Sequence, residues 1–133
     1  MDSRPIIRIV AAVIVDERGH ALLVRKRGTT AFMQPGGKIM PGETPVEALR
    51  REIAEELGLA VAVSAIHELG RHVADAANEP GHLVDADLFS VTLDGEPRAA
   101  AEIDQIAWVD PAATGDIELA PLTRDTVFGL LRS

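Results

Sequence analysis

The chain has 133 residues, 47% of them hydrophobic and 26% charged, enough to bury roughly two-thirds of the unfolded surface in a single core, so one domain over residues 1–133 is expected. Asp and Glu (21) outnumber Lys and Arg (13), for a net charge of −8. That excludes a broad basic face, and no nucleic acid or membrane partner is expected. The absence of cysteine removes disulfides, thiolate metal sites and thiol nucleophiles, and it fits a reducing compartment.

The run Ile6 to Val15 is rich in β-branched residues and ends in Asp16-Glu17-Arg18-Gly19, a turn signal, before Ala21-Leu22-Leu23-Val24. This predicts two strands and a short loop. The first run is too short, and too interrupted by Arg8, to span a bilayer, and it has no signal-peptide cleavage pattern; a cytoplasmic protein is the expectation. The N-terminal strand suits either pairing across a homodimer or an internal place in a sheet. Further strands are expected at about Ala60 to Leu69, Leu83 to Leu93 and Ile103 to Val109, and helices near Thr44 to Leu57 and Thr123 to Leu131. The class is mixed α/β. Arg71 to Gly81 and Pro111 to Pro121 read as loops available for substrate contact.

The segment from Gln34 to Leu59 carries the chemistry. Thr44, Pro45 and Glu47 form a capping box with proline at the first helical position, and Gly58 ends the helix. Val46, Leu49, Ile53 and Leu57 lie on one arc of the helical wheel and should face a sheet. Glu52, Glu55 and Glu56 fall beside that stripe and should converge. Arg51, four residues after Glu47 and four before Glu55, can bridge both. Three such glutamates taken alone are an ordinary solvated acidic face; grouped, they are hard oxygen ligands suited to Mg²⁺, with Mn²⁺ as the alternative. The preceding Gln34-Pro35-Gly36-Gly37-Lys38 makes a tight loop that lets main-chain groups approach an ion or a phosphate.

Gly37, five residues, Glu43, seven residues, then Arg51-Glu52-Ile53-Ala54-Glu55-Glu56-Leu57-Gly58-Leu59 resembles a complete Nudix box, the signature of the Nudix hydrolases that include MutT-like nucleotide pyrophosphohydrolases. The resemblance implies an α/β/α sandwich with a mixed β-sheet and a loop-helix-loop motif. It implies metal ligation by Glu52, Glu55, Glu56 and the Gly37 carbonyl, with Arg51 orienting the glutamates and Glu43 stabilising the loop. Glu102, six residues before Trp108, matches a downstream glutamate of the MutT-like pattern, with Asp104 as its rival; Glu52 and Glu102 are both candidates for general base.

The implied reaction is metal-dependent hydrolysis of a pyrophosphate bond in a nucleoside diphosphate linked to another group, and a small nucleotide is the expected substrate. Arg25 and Arg27, on one face of their strand, and Lys38 are candidates for phosphate contact, against solvated edge charges as the plain reading. Phe32 and Phe89 are assigned to the core. The four histidines show no ligand spacing.

Within the family, the lack of tyrosine speaks against the diadenosine-polyphosphate type. Ala74 stands where the ADP-ribose type has proline, and the lack of cysteine disfavours the isomerase branch. A MutT-like role on nucleoside triphosphates leads. ADP-ribose or nucleotide-sugar hydrolysis and a non-catalytic nucleotide sensor are the alternatives, although sensors usually lack the ligand glutamates that this chain retains. An ungapped alignment of Ala120-Pro121-Leu122-Thr123 puts Thr123 where MutT-type enzymes place a guanine-reading Asn, which argues against oxidised-guanine specificity.

Overall fold

The computed structural model describes residues 3–132. Its elements are β1 (Ile6–Val13), β2 (Ala21–Lys26), β3 (Gly36–Lys38), α1 (Pro45–Leu57), β4 (Ile66–Asp75), β5 (Leu83–Val91) and β6 (Ile103–Val109). A wide helical turn (Leu122–Val127) then runs into α2 (Phe128–Arg132). Four strands form one mixed sheet in the order β3-β1-β5-β4, and β2 pairs with β6 in a second, two-stranded sheet. β1 is parallel to β5 and antiparallel to β3. Both of its edges are therefore used inside the molecule. The internal alternative for the N-terminal strand holds, with Ile9–Ala11 paired on both edges.

The period-2 alternation of the strands divides the core between two helical layers. Val10, Ala12, Ile14, Leu22 and Val24 pack with Ala48, Leu49, Ile53 and Leu57 of α1. Ala11, Val13, Ala21 and Leu23 pack with Leu122, Val127 and Phe128 on the opposite face. The sandwich expected from the sequence is present. Phe32 and Phe89 are core residues, 7% and 3% exposed. Among the described residues no helix is long and apolar enough to cross a membrane.

Helix α1 is bounded as its sequence dictates. The Thr44 hydroxyl accepts the Glu47 N–H at 3.1 Å, the Glu47 carboxylate accepts the Thr44 N–H at 2.8 Å, and Gly58 closes the helix in the left-handed region.

Two strands depart from the sequence reading. The strand expected at Ala60 to Leu69 starts later and runs on to Asp75, so the first five residues of the expected Arg71 to Gly81 loop belong to β4. β4 is an edge strand with most of its side chains in solvent, so it has no apolar alternation to reveal it; pairing with β5 supplies its order. Likewise Gly36–Lys38 reads as loop yet forms β3 along β1. At Gly36 a Cβ would lie 2.0 Å from the Val10 carbonyl oxygen, so only glycine lets the two backbones come this close. Beyond the cover of α1, Arg8 and Arg71 pair with Asp85 and Asp87 across β1, β5 and β4. This half-exposed ionic cluster replaces apolar packing there.

Candidate active site

The site is built where α1 meets β3 and the loop between them. Arg51 is its hub. Its Nε and Nη2 donate to the Glu43 carboxylate at 2.6 and 2.9 Å, Nη2 also donates to the Lys38 carbonyl at 3.0 Å, and Nη1 donates to Glu52 Oε1 at 2.6 Å. Glu43 in turn accepts the Met40 N–H at 2.8 Å. One guanidinium thus ties the loop to the helix and aims Glu52, and its planar fork is what allows several carboxylate contacts at once. These contacts hold the Glu43 carboxyl down at about 2, the Arg51 hydrogen bond being the main cause; the same carboxylate raises the pKa of Arg51. The bridge expected from Arg51 to Glu47 does not form, because the Glu47 carboxylate is engaged in the helix cap. The bridge to Glu55 is present at 3.5 Å.

The three helix glutamates occupy different environments. Glu56 is 2% exposed; its Oε1 accepts the Gly36 N–H at 3.0 Å, and its Oε2 is buried without a hydrogen-bond partner. Burial pushes this carboxyl up to about 8, against the opposing pull of the Gly36 N–H. Glu52 is also raised by burial, with Arg51 opposing. Its carboxyl lies against the main chain of Gly37, where an added Cβ would come within 2.6 Å of Glu52 Cδ. Glu55 is half exposed. The expected convergence of three carboxylates is therefore only partial. Among the described residues no three His, Cys, Asp or Glu side chains are grouped to hold an ion, because Arg51 draws Glu52 and Glu55 while Glu56 turns inward to Gly36.

Of the other candidates, Glu102 lies exposed, 3.6 Å from the Lys26 ammonium, and close enough to Glu56 to raise its pKa. Its rival Asp104 is paired with Arg25 at 2.5 Å. Arg25, which also donates to the Thr29 carbonyl at 2.9 Å, is thereby taken up in the fold. Arg27 lies past the end of β2 and is exposed, so the shared strand face expected for the two arginines does not exist. Lys38 borders a cleft, and so does Lys26, whose charge also favours ionisation of Glu52 and Glu56. Lys26 is the residue that strand alternation from the arginines passes over. It alternates with Leu22 and Val24, which pack on α1, and asking which strand face looks toward the glutamate helix would have found it.

The cleft has about 110 Å³ of interior volume. Its walls are Ile7 and Ile9 of β1, Met33, Val84 of β5 and Leu122, with Gln34 and Thr123 also lining it. Lys26, Lys38 and Gly37 also line it, and Asp75 and Glu79 add carboxylates. A small, largely apolar cleft with a few carboxylate and ammonium groups in its lining has the form of a small-molecule site.

This fold and this site define a class. The NUDIX domain model matches residues 5–128, and the chain belongs to that family. It is 36% identical over 130 residues to a protein of Mycobacterium tuberculosis named as putative 8-oxo-dGTP diphosphatase 2, covering 94% of this chain and 88% of the relative. The solved structure of a MutT protein from Methanosarcina mazei superposes with a TM-score of 0.75 at 25% identity, covering 98% and 95% of the two chains. A MutT NUDIX hydrolase from Burkholderia pseudomallei superposes with a TM-score of 0.74 at 25% identity, over 90% and 93%. The chain is a MutT-like nucleotide pyrophosphohydrolase.

Proposed function

We propose that the protein hydrolyses nucleoside triphosphates to the monophosphate and pyrophosphate, in the cytoplasm, with Mg²⁺ as its cofactor and Mn²⁺ as a substitute. The observation that carries this reading is the buried, partnerless Glu56 Oε2 beside the Gly36–Gly37 backbone, next to a cleft bordered by Lys26 and Lys38. A hard divalent cation fits this donor set, because it compensates the burial that raises both Glu52 and Glu56. Glu56, Glu52 and the Gly37 carbonyl would hold it, and Glu55, being exposed, can rotate to join them. When bound, such an ion neutralises phosphate oxygens and acidifies water.

The chain's own residues supply the rest. Arg51 holds Glu52 in place, and Glu43 holds Arg51. Lys26 and Lys38 take phosphate charge at the end of the cleft nearest α1, while the carboxylates of Asp75 and Glu79 repel it from their part of the lining and so orient the substrate. Glu52 and Glu102 are the candidates to accept the proton of the attacking water.

The test is chromatographic detection of nucleoside monophosphate formed from the four deoxynucleoside triphosphates, ADP-ribose, a nucleotide sugar and a dinucleoside polyphosphate, with Mg²⁺ and with EDTA. Turnover of triphosphates that EDTA abolishes is expected. Turnover confined to ADP-ribose or nucleotide sugars, or binding seen by thermal shift with no turnover of anything, would overturn the reading. Lys26→Met should raise KM for the triphosphate about tenfold with a smaller change in kcat, because a phosphate contact made in ground and transition states alike acts on binding. An unchanged KM would remove Lys26 from the site.

A further inference from the structure

Strand β4 closes one side of the four-stranded sheet. One of its edges pairs with β5, and among the described residues the other takes no backbone hydrogen bond. A register shift between Glu68 and Gly70, with Gly70 at φ +98°, interrupts the first half of the strand. Bulges, prolines and lysines are the usual means of blunting an open edge. Beyond the bulge, Arg71-His72-Val73-Ala74-Asp75 pairs with β5 in unbroken register and holds neither proline nor lysine. Its side chains alternate. His72 and Ala74 are half-buried, Ala74 against the core cluster that contains Leu122 and Val127, while Arg71, Val73 and Asp75 are exposed. Val73, apolar and on an open edge, is 58% exposed.

We infer that this edge docks a second copy of the chain, β4 pairing antiparallel with the partner's β4 about a two-fold axis at Val73, so that the two four-stranded sheets become one. The five residues are self-complementary about that point. The axis sets Arg71 opposite Asp75 of the partner subunit, Asp75 opposite Arg71 of the partner subunit, and Val73 against its own copy. Opposite charges facing one another across antiparallel strands favour pairing, and like charges oppose it. This selects the register: an axis at Arg71 would oppose two arginines, and one at Asp75 two aspartates. Within its own chain Arg71 shares Asp85 and Asp87 with Arg8, and Asp75 pairs with Arg4 at 2.8 Å. Docking therefore joins two ionic groupings of balanced charge, and the five donors of the Arg71 guanidinium leave room for a further carboxylate. The open edge gains main-chain partners, as in strand addition generally, and the contact is isologous, closing at two subunits. Asp75, Ala77, Asn78 and Glu79 line the cleft, so the second copy stands beside it. The inference does not depend on which nucleotide is hydrolysed.

The chain has no cysteine, so a single introduced thiol reports on a single place. Opposed residues of antiparallel strands have Cα atoms about 4.5–5.5 Å apart, within the span of a disulfide. On oxidation Val73→Cys should form a covalent dimer on a non-reducing gel. Val63→Cys, as exposed but ahead of the strand, should stay a monomer. Sedimentation equilibrium of the wild-type protein is expected to show a reversible monomer–dimer equilibrium. Val73→Lys brings two ammonium groups face to face on the axis and should weaken the dimer at least tenfold, and Val73→Glu should do the same with two carboxylates. Mixing these two variants should restore the dimer, because residue 73 meets its own copy only in this register. Melting curves confirm that each variant is folded, as expected for a side chain in solvent. A wild-type protein of monomer mass at every concentration would overturn the inference. So would a Val73→Cys variant that cross-links no faster than Val63→Cys, or a dimer that both charged variants leave unchanged.

Discussion

Replacing Glu56 with glutamine is expected to cut Mg²⁺-dependent turnover by two or more orders of magnitude, on the order expected for loss of a charged group that acts through a metal, while the protein stays folded. The geometry separates the two effects. Glutamine keeps a carbonyl oxygen where Glu56 Oε1 accepts the Gly36 N–H, so the link from α1 to β3 survives. What disappears is the capacity for negative charge at the partnerless oxygen. Stability should change in the opposite direction to activity, and with a defined pH dependence. The Glu56 carboxyl titrates at about 8 in the folded protein against an ordinary 4.5. The stability that comes from burying it in the neutral form is therefore complete below about pH 4.5 and is lost progressively as pH rises toward 8. Glutamine does not ionise. In EDTA the melting temperature of the variant should gain on that of the wild type from pH 4.5 to 8 and then level off. A variant with near-normal turnover would remove Glu56 from the metal site. A melting difference that stays constant with pH would show that the group is not held neutral by burial.

Two adjacent glycines should fail in different ways. Gly36→Ala is expected to destabilise the fold by about 3 kcal/mol or more, the scale of severe overpacking. The new Cβ would sit 2.0 Å from the Val10 carbonyl oxygen and 2.9 Å from Ala11 Cα, and φ is +154°. Both neighbours are backbone of the central strand, so relief requires breaking the β1–β3 pairing. In Gly37→Ala the three atoms nearest the new Cβ all belong to the Glu52 carboxyl group, at 2.6–2.8 Å. A side-chain end can swing away, so stability should fall by about 1 kcal/mol or less, but the displaced carboxylate can no longer stand against the Gly37 main chain. Activity should drop about a hundredfold, in keeping with a catalytic group displaced by an ångström. Melting curves and steady-state rates on both variants check this. If Gly37→Ala melts as low as Gly36→Ala, or Gly36→Ala keeps the wild-type melting temperature, the account of β3 is wrong.

The parts of the molecule that were legible in the sequence are those whose causes are local. The cap Thr44-Pro45-Val46-Glu47, the stop at Gly58 and the apolar stripe Leu49, Ile53, Leu57 are set by neighbours within a turn or two, and α1 follows them. The strand β6 appears at Ile103–Val109, as its β-branched and aromatic content indicates. The pairing of Arg51 with Glu55 was also readable, because residues four apart on a helix face one another.

What local pattern could not decide lies in partners far apart along the chain. β4 is a strand because β5 pairs with it, not because its own residues alternate. β3 is a strand because glycine lets it lie against Val10. Arg51 chose Glu43 over Glu47 because the loop folds back onto the helix and the cap had already taken Glu47. Arg25 was withdrawn from the cleft by Asp104, and Lys26 was brought to it. Gln34 and Thr123 are 89 residues apart, and no spacing rule connects them.

The excess of eight acidic charges excluded a broad basic contact surface from the start, and the glutamates of α1 marked the chemistry, because residue type and helical period are written in the sequence alone. Which of those glutamates is buried, which carboxylate is left without a partner and which lysine faces them depended on how β1, β3 and α1 close on one another. Burial and unpaired hydrogen-bonding groups are properties of packed surfaces, and they come into being only when the chain folds.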